Sequence, residues 1–163
     1  MLIWVYFMEV ILDRLIHIYL KDEKTNICIP FSLKKKYSSL EFICSYEPKK
    51  CEDKEKARQM IMDELEKYSP QVDHESKGSW EIYLSKVVSL ITVSVDYKGQ
   101  YLGCSHRLDN EQRHIISADF SSPGFFRHSV DAGDWRVLIN VHSVVSPDIR
   151  CCLQIIAHNR KSV

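Results

Sequence analysis

Hydrophobic and polar positions alternate along most of the chain, which is typical of β-strands because successive side chains of a strand point to opposite faces. Residues 27–33 (ICIPFSL) and 40–46 (LEFICSY) carry an apolar side chain at every second position. Residues 86–96 (KVVSLITVSVD) are apolar on both faces, which predicts a central strand covered on two sides. Seven or eight short strands with turns between them predict a mainly β protein, an antiparallel, jelly-roll-like β-sandwich. We expect its core to enclose Ile91, Val93, Trp135, Val137 and Ile139.

One segment has helical spacing instead. In residues 51–70 (CEDKEKARQMIMDELEKYSP), Ala57, Met60, Ile61 and Leu65 fall on one face of a helix, acidic residues come early and Pro70 follows. An amphipathic helix near 53–68 is therefore predicted in a long connection, outside the sandwich. Such a helix covers an open end or edge of the sheets, or it binds a partner. The polar residues after it, QVDHESKGSW, are predicted to form a loop.

The first residues, MLIWVYFMEVIL, form an apolar run that is too short to cross a bilayer and is interrupted by Glu9. The run is a strand or an extension, and we interpret residues 1–8 as an N-terminal extension, which could pack against a neighbouring molecule. Residues 9–163 are predicted to form a single β-sandwich domain.

Charge and cysteine content narrow the choice of partners and compartment. The chain has 22 acidic and 22 basic residues, so no overall field attracts nucleic acid or an anionic membrane, and neither is an expected partner. The N-terminus lacks the features of a secretory signal, and the six cysteines lie mostly in strand-like runs. They are predicted to be reduced thiols in a cytoplasmic protein. No cysteine or histidine spacing suggests structural zinc, and no cofactor is expected.

Residues 121–145 (SSPGFFRHSVDAGDWRVLINVHSVV) contain the groups most suggestive of chemistry, which are His128, Asp131, Asp134 and His142. The alternative is a corner that turns the chain and starts a core strand. In SSPGF, Pro followed by Gly is the pattern of a type II turn, and in DAGDW the Asp can bond the backbone ahead while Gly permits a reversal. The strand that follows places Trp135 on one face and His142 on the other. Locally, the corner is favoured.

The seven histidines form no HxH, HxxH or HExxH pair. His106, His128 and His142 are therefore predicted to be structural or solvated, not metal ligands. Cys104 with His106, and His142 with Cys152, could each be drawn as nucleophile and base, but no nucleophile elbow or oxyanion turn accompanies them. No catalytic residue is assigned.

Three segments resemble a known family: ITVSVDYKGQYLGCSHR, then ISADFSSPGF, then AGDWRVLINVHSVV. They are similar to the N-terminal domain of the CehA/McbA-type metallohydrolases of the polymerase-and-histidinol-phosphatase (PHP) superfamily, and the likeness covers roughly residues 9–157. The resemblance implies that the matching residues define turns and sandwich contacts and bind no metal. These residues are Gly103, His106, Arg107, Ser122, Pro123, Gly124, Gly133, Trp135 and His142.

The resemblance also implies that the family's metal ligands lie in a PHP domain that follows this one. The sequence ends in IIAHNRKSV, where His158 stands without a second histidine two residues on. A metal-dependent phosphoesterase needs clustered carboxylates and imidazoles. We therefore expect no enzymatic activity, but an accessory domain that acts by protein–protein contact on a separate PHP-domain chain or on a second copy of itself.

The competing hypothesis is a carbohydrate- or small-ligand-binding sandwich. Modules of this kind present a row of exposed aromatic side chains, and four aromatic residues lie near predicted loops where a row could form. These are Trp80, Tyr83, Tyr97 and Tyr101. An exposed planar row would favour a sugar, and an apolar face beside the N-terminal run would favour a protein partner.

Overall fold

The computed structural model describes residues 4–69, 80–105 and 109–162. The described chain forms eight strands and two helices. They are β1 (Trp4–Tyr19), β2 (Thr25–Leu33), β3 (Ser39–Glu47), α1 (Lys54–Tyr68), α2 (Trp80–Leu84), β4 (Leu90–Tyr97), β5 (Gln100–Cys104), β6 (Glu111–Ser117), β7 (Gly133–Ser143) and β8 (Asp148–Ser162). A short 3-10 helix, Leu20–Asp22, joins β1 to β2.

The strands form two four-stranded antiparallel sheets. Sheet A has the order β1-β8-β3-β6, and sheet B has the order β2-β7-β4-β5. The β4–β5 hairpin lies at the middle of the chain, and the pairs β3–β6, β2–β7 and β1–β8 follow outward from it along the sequence. Two sheets connected in this way are a jelly roll. The predicted mainly β, antiparallel sandwich is confirmed.

The core lies between the two sheets. All five residues predicted to be enclosed there, on β4 and β7, are fully buried. Trp135 is the largest of them, and it lies between Phe31 of β2 and Tyr97 of β4, which face it across the two strand pairs. The ring centroids are 6.3 Å apart for Phe31–Trp135 and 4.6 Å apart for Tyr97–Trp135. A row of three aromatic rings therefore crosses sheet B.

Strand β4 is covered on both faces, as predicted, but its two faces differ in chemistry. The inward side chains of Ile91, Val93 and Val95 are apolar, whereas the outward side chains are Thr92, Ser94 and Asp96. These polar side chains are also buried, because neighbouring side chains on β5 and β7 contact them. The sequence suggested a second apolar face partly because of the valines at 87 and 88, but these residues precede the strand. Within β4 itself, the second face is polar.

The predicted helix is confirmed as α1, whose close neighbour is α2 rather than a strand. The side chain of Asp53 caps it by accepting a hydrogen bond from the Lys56 backbone N–H at 3.0 Å. Ala57 is its buried residue, and Pro70 lies outside the described residues. The sequence pattern did not predict α2, which begins at the end of the expected polar loop.

The expected boundary at residue 8 falls inside β1. This strand pairs with β8 from Trp4 to Tyr19, with one register shift between Val10 and Leu12. Glu9 fixes the strand to the segment between β2 and β3, because its carboxylate accepts a hydrogen bond from the Tyr37 hydroxyl at 2.7 Å. Residues 4–8 are thus the end of a sheet strand.

Candidate functional site

The Ser-Pro-Gly turn has the predicted conformation. The carbonyl of Ser122 accepts a hydrogen bond from the Phe125 N–H at 3.1 Å, and Gly124, which follows Pro123, has a φ of +91°. This turn packs directly on β5. A Cβ atom on Gly103 would lie 2.2 Å from the Gly124 carbonyl oxygen, so only glycine fits there. The motif serves to bring two backbone segments into contact.

The corner at the start of β7 is also structural. Gly133 adopts a φ of +133°, and two residues later the buried Trp135 indole donates to the Asp131 carbonyl at 3.1 Å. The Asp131 carboxylate pairs with Lys36 at 3.0 Å rather than with the backbone ahead of it. Hydrogen bonds from Lys36 and Ser129 lower the pKa of Asp131.

The four groups that suggested chemistry do not form one cluster, because His142 lies away from the three at the corner. His128 lies edge-on to Trp135, with 5.8 Å between ring centroids, and Asp134 accepts a hydrogen bond from Ser32 at 2.7 Å. His142 is seven residues beyond Trp135 on β7, which places it about 23 Å from the corner along the strand. Residues 121–145 therefore form a corner and a core strand.

His142 points outward from sheet B, as predicted. Its Nε2 lies 2.8 Å from the Thr92 hydroxyl, which also accepts hydrogen bonds from the Asn140 amide and the Cys104 thiol at 3.2 and 3.6 Å. Ser94 donates to the amide oxygen of Asn140 at 3.1 Å, which orients that amide. These contacts satisfy the polar groups of the outer face among themselves.

Of the two nucleophile–base pairs suggested by the sequence, the structure tests His142 with Cys152 and does not bring them together. Cys152 lies on the outer face of sheet A and His142 on the outer face of sheet B, so the sandwich separates them. His106 and Arg107 lie outside the described residues. In the part of the chain that the structure describes, no group of three or more His, Cys, Asp or Glu side chains could hold a metal ion.

The four candidate sugar-binding aromatics do not form a row. Trp80 and Tyr83 lie in α2, and Arg58 of α1 lies 4.8 Å from the centre of the Trp80 ring. Tyr97 packs on Trp135 at the far end of β4, and Tyr101 is on the edge strand β5. The length of β4, about 23 Å, separates the two pairs.

The outer face of sheet A contains a buried carboxylate that no sequence motif marks. Glu41 on β3 is 2% exposed and accepts hydrogen bonds from Arg113 of β6 and, at 2.9 Å, from His158 of β8. Burial raises the pKa of Glu41, but the hydrogen bonds and electrostatic attraction of Arg113 and His158 together outweigh burial and leave the pKa below its ordinary value. The alternation in β3 correctly places Glu41 on the outer face, although its burial depends on two distant strands.

An open crevice of about 600 Å³ lies between the start of α1, the end of β3 and the start of β8. Its walls carry both signs of charge, and Arg150 pairs with Glu47 at 2.7 Å. Asp53 already caps the helix N-terminus that faces it. Nothing in this arrangement selects an anion or a cation.

The most distinctive surface is the edge of sheet A formed by β1, which we call the β1 edge (residues 4–20). Half of the large apolar side chains that are exposed in the described chain lie there, among them Met8 at 74% and Leu15 at 57%. Among the described strands, β8 is the sole partner of β1, and the other side of β1 is an open sheet edge.

No protein-family model matches the chain, and a search of curated proteins gives no significant match. The family resemblance therefore stays a prediction. No helix in the described residues has both the length and the apolar character needed to cross a membrane.

Proposed function

We propose that this jelly roll is a non-catalytic accessory domain that acts by protein–protein contact and uses the β1 edge as its docking surface. The observation that carries the proposal is the concentration of exposed apolar side chains on this one strand. Exposed apolar patches on folded domains mark interaction sites, and an open strand edge can extend a partner's sheet.

The other candidate sites support contact rather than chemistry. A general base or nucleophile needs an available electron pair that can reach a substrate. His142 is bonded to Thr92, Asp131 to Lys36 and Glu41 to Arg113, so the polar groups that stand out are used to join strands or loops.

The resemblance to the N-terminal domain of PHP-type metallohydrolases suggests the kind of partner. A PHP-domain chain would supply the metal ions and the hydrolytic chemistry, and this chain would bind it from a cytoplasmic location. The six cysteines are compatible with that location, because none of them forms a disulfide in the structure.

Binding to a purified PHP-type catalytic domain tests the proposal by titration calorimetry. We expect saturable binding that Leu15→Lys abolishes. Tyr101→Lys is the matched control, because Tyr101 is 56% exposed on the edge strand of the other sheet, and it should leave binding unchanged.

A second measurement tests the absence of catalysis. Protein purified without chelator should contain no stoichiometric metal and should not hydrolyse p-nitrophenyl phosphate with added manganese. Turnover that is lost in His142→Ala would show instead that the outer face of sheet B is an active site.

A further inference from the structure

We propose that the crevice between α1, β3 and β8 binds a neutral, polyhydroxylated ligand, which is the chemistry of a sugar. Its volume of about 600 Å³ lies within the usual range of ligand pockets, about 300–1,000 Å³. The residues that line it lie outside the β1 edge, so the inference does not rest on the proposed docking surface. A buried hydroxyl and a set of partnered charges on its walls determine the class of ligand.

The buried hydroxyl belongs to Ser146, in the segment between β7 and β8 that forms one wall of the crevice. Ser146 is 4% exposed, yet its side chain has no hydrogen-bond partner among the described residues. Buried polar groups in folded proteins are almost always hydrogen-bonded, and an unbonded one costs stability. A molecule in the crevice is therefore the remaining partner for the Ser146 hydroxyl.

Most of the charged side chains on the walls already have polar partners. Arg150 donates to Glu47 at 2.7 Å, and Asp148 lies 2.9 Å from the Nδ1 of His17. Asp53 accepts a hydrogen bond from a backbone N–H of α1. A guanidinium has five N–H donors and a carboxylate about four acceptor positions, so each keeps capacity for further hydrogen bonds.

Glu52 and Lys56, near the start of α1, add one side chain of each sign to the lining. The walls thus offer hydrogen-bond donors and acceptors side by side. A hydroxyl group donates and accepts, so it can use both, whereas a simple ion can use only one. Two adjacent hydroxyls of a sugar ring match a guanidinium and a carboxylate that are held together, as they are in the Arg150–Glu47 pair.

Apolar side chains supply the rest of the lining that a sugar needs. Pro48, Val145 and Pro147 contribute aliphatic surface to the crevice. The C–H groups of a sugar ring can pack on this surface while its hydroxyls bond the polar groups, which is the usual division of roles in a ligand pocket. Because the crevice is open to solvent, we expect weak binding, with dissociation constants of about 1–10 mM.

NMR titration of the isotope-labelled chain tests the inference with methyl glucoside, methyl galactoside and N-acetylglucosamine as neutral probes. At least one of them should shift the amide signals of Ser146, Arg150 and Lys56 in a saturable manner. Its dissociation constant should change less than about twofold between about 50 and 500 mM NaCl, because salt does not screen a neutral ligand. Inorganic phosphate, spermidine and glycine are the charged comparisons and should bind more weakly.

Ser146→Ala separates binding from folding. It should weaken sugar binding by about fivefold or more, as expected for the loss of one hydrogen bond. Urea unfolding should be unchanged or show slightly higher stability, because the hydroxyl has no partner in the described chain. Ser94→Ala is the matched control. Ser94 is also buried, but it donates to Asn140 at 3.1 Å on the outer face of sheet B, so this variant should lose stability and keep sugar binding.

Three outcomes overturn the inference: no neutral probe shifts the signals of the crevice, a charged probe binds more tightly than every sugar, or Ser146→Ala leaves sugar binding unchanged. A loss of stability in Ser146→Ala as large as that in Ser94→Ala would also overturn it, because the hydroxyl would then have a partner within the folded chain. These outcomes leave the β1 edge untouched, since Leu15→Lys tests that surface separately.

Discussion

Large apolar side chains have opposite roles in two regions of this molecule. At the corner of sheet B, Phe31, Trp135 and Tyr97 form a row across three paired strands, and Trp135 is fully buried. On the β1 edge, Met8 and Leu15 are more than half exposed. The residue types are similar, but the corner has a strand on each side of β7 and a second sheet beneath it, whereas β1 has a neighbour on one side.

The difference shows that position in the sheet decides what an apolar residue does. A side chain on a central strand is removed from water when the chain folds and contributes to stability. Edge strands in natural proteins are usually protected by proline, lysine or short length. β2 contains Pro30 and β5 is five residues long, whereas β1 is sixteen residues long, has no proline or lysine, and carries three charged side chains and one register shift. The corner stabilises the fold, whereas the β1 edge is the surface that we propose for contact.

The largest effect is expected at the corner. Trp135→Ala should lower the free energy of unfolding by about 3–5 kcal/mol, because a cavity remains where three rings were packed. His142→Ala is the control on the opposite face of the same strand and should cost less than about 1 kcal/mol. Urea titrations of both variants make the comparison. A histidine substitution that proved the more damaging would contradict the assignment of faces on β7.

Gly103→Ala should be the next most damaging change. The new methyl group would collide with the backbone of Gly124 and Phe125, which cannot move without breaking the turn, and we expect a loss of about 3 kcal/mol. Gly99→Ala is the matched control. Gly99 also has a positive φ but no atom within 4 Å of an added Cβ, so it should cost about 1 kcal/mol of backbone strain. Thermal or urea unfolding of the pair separates collision from strain, and equal losses would show that Gly103 is not a close-contact position.

Much of the corner could be predicted from sequence because its signals are local. The Pro123–Gly124 turn and the alternation in β7 each depend on a few consecutive residues, and both are confirmed. The order of the strands in the two sheets is harder to predict from local sequence patterns. β1 pairs with β8 at the other end of the chain, so local alternation indicates that strands exist but not which of them lie at the edges.

Contacts between segments that are far apart in sequence also explain which features local patterns did not reveal. The apolar run at the N-terminus predicts either a strand or an extension, and local alternation does not decide between them because the partner strand is far away in sequence. The burial of Glu41 requires Arg113 and His158, which come from two other strands. The helix α2 is five residues long, too short to show helical periodicity.

Glu41 is intermediate between the buried corner and the exposed β1 edge, because its side chain is buried although it lies on the outer face of sheet A. Glu41→Gln should lower the free energy of unfolding by about 1–2 kcal/mol at pH 7, because the hydrogen bonds to Arg113 and His158 favour the ionised form. The folded-state pKa of Glu41 is lowered, so its contribution is present above the unfolded pKa of about 4.3 and is lost as pH falls through the folded value. Unfolding measured at several pH values should show the difference from the unmodified chain shrinking in acid.

Glu47→Gln is the control for that series. Glu47 also pairs with an arginine, Arg150, but both side chains are exposed, and exposed ion pairs contribute little. We expect the difference in the free energy of unfolding between this variant and the unmodified chain not to change measurably with pH. A difference that persisted unchanged for Glu41→Gln down to about pH 2 would mean that ionisation of Glu41 does not stabilise the fold.

The smallest effect on stability is expected on the β1 edge, and it is the one that separates the two regions most clearly. Leu15→Lys should change the free energy of unfolding by no more than about 0.5 kcal/mol, because the side chain is already in water in the monomer. Urea titration at about 1 µM, where the monomer should predominate, measures this without a contribution from association. A loss comparable to that of Trp135→Ala would mean that Leu15 belongs to the core of the monomer. If stability is unchanged while partner binding is lost, Leu15 acts only after the chain has folded, by contact with another molecule.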